Sequence, residues 1–370
     1  MFPKLRISAA VYLMTGSMLL GGAAAVPASA SVINSNYESI TAGEQEETAE
    51  STPETTSTAD PEVTHNDDPA GAELAESISS VDEQKAKYTY GISCPNLSSR
   101  YYVEVTNALR VSIEDAGSAL LILDAKGDAT RQKSQICQLV DHGVDGIFIL
   151  PIETTGMTET LETVYNAQIP MVGMLTELSD MSYLESFIGM DHYRSGQLVA
   201  EKIAEQYPDG CSVLLLEQSG SANVAEHISG FRDAAKNLQI KIAASTDGGG
   251  TREAASAAAE QLLKEHPECK ILVAGSDMMA LGALDAVAAA ELTETVVYGF
   301  GGSPDFKSAL SKGNAAAAGT GADSLAAVAA AAAQVMNGYL DGTKVQARYA
   351  LEPFIIDASN VADYGTEGWQ

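Results

Sequence analysis

The segment that decides the fold is GSDMMALGAL at residues 275–284, followed by YGFGGSPD at residues 298–305. The first segment directly follows the apolar run KILVAG (270–275), and the second overlaps the apolar run TVVYGF (295–300). A short apolar run that leads through Gly-Ser-Asp into a longer apolar stretch is typical of a buried strand that passes into a helix. We therefore predict two strands joined by a helix, with a polar loop after each strand.

The same alternation of strands and helices extends towards the N-terminus. Seven further apolar runs, mostly separated by amphipathic helical stretches, lie at 88–93, 119–124, 145–150, 170–174, 186–189, 211–217 and 240–244. Buried strands that alternate with helices indicate parallel sheets with helices on both faces. The rhythm restarts after 186–189, so we predict an α/β fold with two doubly wound lobes. A last helix, at about 323–338, begins where Asp323 is available as its N-cap.

Three patches of this sequence resemble one known family. They are Ser98–Tyr102 after the first strand, Ile188–Asp191 with Tyr193 and Gly196 at the seam between the lobes, and the 275–284 segment with its continuation. In order and spacing, residues 88–357 resemble the periplasmic sugar-binding proteins of the ribose/galactose type, the type I periplasmic binding proteins. The effector domain of LacI-type repressors shares this fold. No helix-turn-helix precedes the domain and an export signal does, which excludes the repressor branch.

The resemblance implies two lobes joined by a three-strand hinge that close on a small ligand, without catalysis and without a cofactor. The chain would cross from one lobe to the other near residues 188–191, 319–322 and 351–354. The N-terminal lobe would comprise 88–189 plus 321–352, and the C-terminal lobe 190–320 plus 353–370. The cleft would be lined by loops at the carboxyl ends of the strands, as in other open α/β sheets.

The resemblance also implies the ligand-binding positions. They are Ser99, Tyr101, Tyr102, Leu175, Thr176, His227, Ser276, Asp277, Gly301 and Thr320. Tyr101 and Tyr102 would stack on a sugar ring; the alternative is that they only pack on their own lobe. At most other positions the family's charged and amide side chains are replaced by small, hydroxylated or apolar ones. Three alternatives follow: the ligand is sugar-like but bulkier and less polar, the pocket binds its ligand weakly, or binding is vestigial.

His227 is the pocket group expected to titrate near neutral pH, and the alternative is a polar surface histidine. No metal site is expected, because the four cysteines form no CxxC pair and the five histidines lie apart in the sequence. Cys211 and Cys269 stand at the starts of two apolar runs, and a disulfide between them is one hypothesis; free thiols are the alternative.

The chain of 370 residues has a net charge of -29. Such an acid excess argues against nucleic acid and against docking on anionic lipid. Residues 1–30 have a positive start, an apolar run and Ala28-Ser29-Ala30, which predicts a signal peptide or, if uncleaved, an anchor. Residues 31–87 hold 14 acidic and two basic residues and predict a disordered acidic linker. A cation-binding or partner-docking tail is the alternative for this segment.

These features together predict an exported, extracytoplasmic solute-binding protein that is a monomer and not an enzyme. It would present a small, carbohydrate-like ligand to an ABC permease. The alternative is a sensor subunit that reports ligand occupancy to a membrane signalling partner. The sequence does not identify the ligand.

Overall fold

Twelve strands form two separate six-stranded sheets in the computed structural model, which describes residues 85–370. The predicted signal peptide lies outside the described residues, as does nearly all of the predicted linker. The strands are β1 Thr89–Cys94, β2 Ala119–Asp124, β3 Gly146–Ile149, β4 Met171–Met174, β5 Ser186–Met190, β6 Cys211–Glu217, β7 Ile240–Asp247, β8 Ile271–Ala274, β9 Val296–Phe300, β10 Ala317–Ala322, β11 Arg348–Leu351 and β12 Phe354–Ile356.

Ten helices connect or follow these strands in the described residues. They are α1 Arg100–Asp115, α2 Ala129–His142, α3 Thr158–Asn166, α4 His192–Gln206, α5 Ala222–Ala235, α6 Arg252–Glu265, α7 Asp277–Ala289, α8 Pro304–Ser311, α9 Leu325–Leu340 and α10 Val361–Tyr364. None of the helices in residues 85–370 is long and apolar enough to cross a membrane.

The two sheets confirm the predicted fold class. The first has the order β11-β5-β4-β3-β1-β2 and is parallel throughout. The second has the order β12-β10-β9-β8-β6-β7 and is parallel except for β12, which runs antiparallel to β10. Apolar cores lie on both faces of the first sheet, and a large core surrounds the second. Helices on both faces make each lobe doubly wound.

The chain passes between the lobes three times. The passages follow β5, then β10, and finally separate β11 from β12. The second crossing was expected near 319–322, with the N-terminal lobe resuming at 321. In the structure Gly321 and Ala322 still pair with β12 in the second sheet, and Leu325 is the first residue packed in the first-lobe core. The crossing therefore lies between Ala322 and Leu325.

The nine predicted strand runs are all strands. The residues of β10 to β12 did not by themselves predict strands, although the hinge crossings that the resemblance implies near 319–322 and 351–354 fall at the end of β10 and between β11 and β12. The β10 sequence AAGTGA contains mostly alanine and glycine, which have low strand propensity. It becomes a strand because it is held between β9 and β12. At the start of α9 the capping side chain is Ser324, whose Oγ accepts a hydrogen bond from the N–H of Ala327 at 3.2 Å. The prediction that Asp323 caps this helix is wrong.

The structure corrects the disulfide hypothesis, because Cys211 and Cys269 are both free thiols. They precede two neighbouring strands, but the β6–β8 pairing begins only at Val213 and Ile271. No ladder hydrogen bonds hold the two cysteines side by side. Burial raises the pKa of both thiols, which keeps them protonated and unreactive at neutral pH.

Candidate functional site

The candidate site lies where loops at the carboxyl ends of strands from both sheets face each other across the hinge. The first lobe contributes the loops after β1 and β4, and the second lobe the loops after β8, β9 and β10. This edge is where ligands bind in open α/β sheets. Eight of the ten predicted ligand-binding residues lie in these loops or at the helix starts that follow them; the exceptions are Thr320 on β10 and His227 on α5.

The first-lobe wall of the cleft is aromatic. Tyr101 and Tyr102 begin α1, and their rings meet edge to face with centroids 5.4 Å apart. Both are half-buried and pack against the first-lobe core, so they fit the alternative of packing on their own lobe as well as that of contacting a ligand. Burial raises the pKa of the Tyr101 hydroxyl, and the nearby carboxylate of Asp323 raises it further. Tyr101 therefore lies at the junction of the lobes.

Ser99, Leu175 and Thr176 complete the predicted set on this wall without supplying a charged group. Ser99 stands at the N-cap position of α1, but its side chain makes no capping hydrogen bond. Leu175 has a φ of 62°, a left-handed conformation that is unfavourable for a bulky residue. It is held there by its N–H, which donates to the carbonyl oxygen of Ile188 at 2.9 Å. Such strain is found preferentially at functional sites.

The second-lobe wall is a hydrogen-bonded network centred on Asp277. The side chain of this residue accepts from the N–H of Ser303 at 2.6 Å and from the hydroxyl of Thr320 at 2.7 Å. The Thr320 oxygen accepts in turn from the N–H of Gly302 at 3.2 Å. Burial raises the pKa of Asp277, although these hydrogen bonds favour its charged form. Asp277 and Thr320 thus bind the loop after β9, which contains Gly301.

Ser276 and His227 have different roles on this wall: Ser276 caps a helix, and His227 is buried inside one. Ser276 caps α7, and its Oγ accepts from the N–H of Met279 at 3.4 Å. His227 lies inside α5 and is only 6% exposed, so the alternative of a surface histidine is wrong. Its burial lowers its pKa to about 3, with a further contribution from His192. The expectation that it titrates near neutral pH is also wrong, because a charged imidazole would be desolvated here.

Three ionisable groups at the cleft were missed by sequence reasoning. Lys307 on α8 is fully buried, and burial lowers its pKa to about 8, against the opposing charges of Glu104 on α1 and Asp277. Asp323, at the second crossing, has its pKa raised to about 7 by burial and by Asp191. A lysine and a glutamate on polar helix faces carry no sequence signal for burial. Only the topology brings them to the cleft.

Residues 366–370, here called the cleft segment, connect the two walls. Glu367 forms an ion pair with Arg100 at 3.5 Å, and the Trp369 ring meets the Tyr101 ring edge to face at 5.6 Å. The N–H of Trp369 donates to Glu104 at 2.9 Å. These three contacts are with the first lobe, although the sequence assigned 353–370 to the second.

The last residue of the cleft segment contacts the second lobe. The N–H of Gln370 donates to the carbonyl oxygen of Gly302 at 3.3 Å, and its side chain accepts from Lys307. A side chain at Gly302 would collide with Gln370, and one at Gly368 would collide with Glu104. The cleft segment is therefore fitted closely between the walls, against the tyrosine predicted to contact the ligand.

Comparison with known proteins supports the same architecture. Residues 90–344 match the family described as periplasmic binding protein domain. The ribose import binding protein of Bacillus subtilis is 28% identical over 223 residues, covering 60% of this chain and 72% of that protein. The ribose import binding protein of Salmonella typhimurium is 26% identical over 268 residues, covering 72% of this chain and 90% of that protein.

Solved structures show the same fold. A periplasmic ribose ABC transporter from Conexibacter woesei superposes with a TM-score of 0.69 at 21% identity, covering 77% of this chain and 95% of that one. An ABC transporter solute binding protein from Mycobacterium smegmatis, with bound glycerol, superposes with a TM-score of 0.63 at 26% identity. The match covers 76% of this chain and 98% of that one. Two doubly wound sheets, three crossings and a match over residues 90–344 make this chain a member of the periplasmic binding protein domain family.

Proposed function

We propose that this protein is an extracytoplasmic solute-binding protein that closes on a small, sugar-like ligand and presents it to an ABC transporter. The observation that carries the proposal is that the Tyr101–Tyr102 wall and the second-lobe wall face each other across the hinge, since residues 366–370 contact both. A sugar presents C–H faces to an aromatic surface and hydroxyls to its sides. Relatives named for ribose import support this class of ligand.

The polar contacts to such a ligand are assigned to residues other than the family's usual charged positions. Lys307 would supply donors and Glu104 acceptor oxygens in place of their present contacts with Gln370 and Trp369. The two residues lie on opposite lobes and influence each other's pKa, so the charge on each depends on lobe closure. Hydrogen bonds to charged groups contribute about 1.5–3 kcal/mol each. A pair of such groups replaces part of what the neutral positions Leu175, Thr176 and Gly301 lack.

The remaining parts of the proposal concern the whole chain. Residues 1–30 are assigned as a signal peptide or anchor and 31–87 as an acidic linker, which place the binding domain outside the cytoplasm. The lobes are assigned with the second crossing between Ala322 and Leu325, as 88–189 plus 325–352 and 190–322 plus 353–370. The protein is assigned as a monomer that binds without catalysis. The ligand-sensing role has no specific observation in its favour.

A thermal-shift screen of the full chain over pentoses, hexoses, nucleosides and sugar derivatives tests the proposal. A ligand at 100 times its dissociation constant stabilises the folded state by about 2.7 kcal/mol. We expect at least one sugar-like compound to raise the midpoint of unfolding in a concentration-dependent way. A screen in which amino acids or peptides stabilise the protein, and sugars up to millimolar concentration do not, would reject a sugar-like ligand.

A further inference from the structure

Two histidines and an aspartate converge at the junction of the lobes. The Nδ1 atom of His192 lies 3.0 Å from Nε2 of His227 and 3.9 Å from Oδ2 of Asp323. The potential ligand atoms of the three residues all lie within 4.8 Å of one another, and this is the one such group among residues 85–370. Four bonds of about 2.0–2.1 Å to a tetrahedral zinc ion require ligand atoms about 3.3 Å apart. The observed separations bracket this value.

The fold brings the three residues together from distant parts of the chain. His192 is the first residue of α4, immediately after the first crossing, and His227 lies on α5. The two helices touch through Gly196 and Gly230, where a Cβ would collide with the backbone of the facing helix. Asp323 follows β10 at the second crossing. The cluster is thus built on the hinge itself, from residues separated by 35 positions or more.

The imidazole of His227 is oriented as a metal ligand would be. Its Nδ1 lies 3.1 Å from the carbonyl oxygen of Gly275, and because a carbonyl only accepts, Nδ1 carries the proton. The lone pair is therefore on Nε2, the atom that faces the cluster. The ring stacks on Phe300 with centroids 4.4 Å apart and planes 8° apart, which fixes its orientation. Metal-bound histidines usually donate their other N–H to a carbonyl or carboxylate in this way.

The cluster has more acceptors than donors. With Asp323 ionised, the state in which it would bind a cation, Nε2 of His227 and the two oxygens of Asp323 all accept, and the N–H at Nδ1 of His192 serves only one of them. Oδ1 of Asp323 is buried and has no hydrogen-bond partner in the described residues. The carboxylate is 7% exposed, and the cap of α9 is made by Ser324 instead. A buried acceptor without a partner is destabilising, and a cation bound there would remove this deficit.

We propose that His192, His227 and Asp323 bind a divalent transition-metal ion, with Zn²⁺ as the first choice, at the hinge between the lobes. Two imidazoles and one carboxylate form a ligand set typical of zinc. Three protein ligands leave a coordination position for water or for a hydroxyl of a bound molecule. The expectation that the chain has no metal site arose because these residues are far apart in the sequence. This inference goes beyond the proposed function and does not rest on it.

Calorimetric titration of Zn²⁺ into chelator-treated, tag-free full chain tests the proposal. We expect one ion per chain, and binding weakened more than about 100-fold in His192→Ala and Asp323→Asn, because losing a direct ligand has a larger effect than the 10–100-fold loss for an outer-shell partner. His266→Ala is the matched control: that histidine caps α6 beside Glu268 and lies outside the cluster, so its loss should leave the affinity unchanged.

Two further measurements check that each variant is folded and that the bound ion has the expected coordination. Circular dichroism establishes that each variant is folded, and Co²⁺ in place of Zn²⁺ gives a visible spectrum that reports tetrahedral nitrogen and oxygen coordination. Equal Zn²⁺ affinity in the wild type and in both cluster variants would overturn the proposal. So would failure of the wild type to bind Zn²⁺ while Asp323→Asn loses affinity for a sugar, which would assign these acceptors to ligand hydroxyls.

Discussion

The two walls of the cleft use their polar groups differently. On the first-lobe wall, Tyr101 and Tyr102 are half-buried rings that pack on their own lobe and keep part of their surface exposed. On the second-lobe wall, Asp277 and Thr320 are buried and satisfied by each other and by the loop after β9. The difference indicates that the second wall sets the shape of the cleft, whereas the first wall provides contact surface. Changes on the two walls should therefore affect different properties.

The largest expected effect is on stability, at the centre of the second wall. Asp277→Ala removes the acceptor for the Thr320 hydroxyl and the Ser303 N–H. Buried donors left without a partner cost about 1–3 kcal/mol each, so we expect the loss of both bonds to lower the free energy of unfolding by about 2–6 kcal/mol in urea titrations followed by circular dichroism. Asp285→Ala, on the exposed side of the same helix, is the control and should lose at most about 1 kcal/mol. Equal losses in the two variants would contradict a structural role for Asp277.

A second prediction concerns Lys307, which interacts with charges on both walls. Its pKa is lowered from 10.5 to about 8, chiefly by burial. Between pH 8 and pH 10.5 Lys307 is protonated in the unfolded chain and largely neutral in the folded chain. The unfolded chain therefore binds more protons, and the free energy of unfolding rises with pH. Compared with Lys307→Met, the wild type should gain up to about 3 kcal/mol between pH 7 and pH 10, since one pKa unit corresponds to about 1.4 kcal/mol. A difference between the two proteins that does not change with pH would show that Lys307 is not buried as a charged group.

A third prediction separates ligand contact from stability on the first wall. Tyr101→Ala and Tyr102→Ala should each weaken the binding of the best ligand from the screen by at least about tenfold, or about 1.4 kcal/mol, through the loss of ring contact. Calorimetry measures the affinity, and unfolding curves should show that each variant remains folded. Tyr165→Ala, an exposed tyrosine on α3, should leave affinity unchanged. If affinity survives both changes, the ligand binds elsewhere.

The smallest expected effect is at Trp369 in the cleft segment. Because the Trp369 ring packs on Tyr101, we expect Trp369→Ala to expose that tyrosine and to strengthen ligand binding by about threefold. Trp369→Phe preserves an aromatic contact and should stay close to the wild type. Weaker binding in Trp369→Ala would show instead that Trp369 forms part of the ligand contact.

The fold was predictable because its signals are local. Apolar runs such as ALLILD and CSVLLLE are buried strands wherever they occur, and their alternation with helices leaves few topologies. The residues of β10 alone did not predict a strand, because pairing with β9 and β12 makes it one. The resemblance located the Asp277–Thr320 wall by position, but it did not reveal that these two side chains bind each other.

The rest of the site depends on contacts between residues far apart in the chain. His227 reads as a polar helix residue until Gly196 and Gly230 bring α4 against α5 and bury it. Lys307 and Glu104 are charged residues on helices of different lobes, 203 positions apart in the sequence. Their proximity follows from the way the two lobes are arranged at the hinge, which no local pattern encodes. The sequence therefore predicted which residues line the cleft better than it predicted which charged groups lie beside them.

The cleft segment has a consequence for how occupancy depends on ligand concentration. A group joined to the same chain as its binding surface acts at an effective concentration in the millimolar range. A solute that must share Tyr101 with Trp369 then competes against that concentration, and its apparent dissociation constant rises accordingly. Occupancy would become appreciable only when the solute is abundant. The concentration at which the protein is half occupied would then depend on residues 366–370 as well as on the residues that touch the solute.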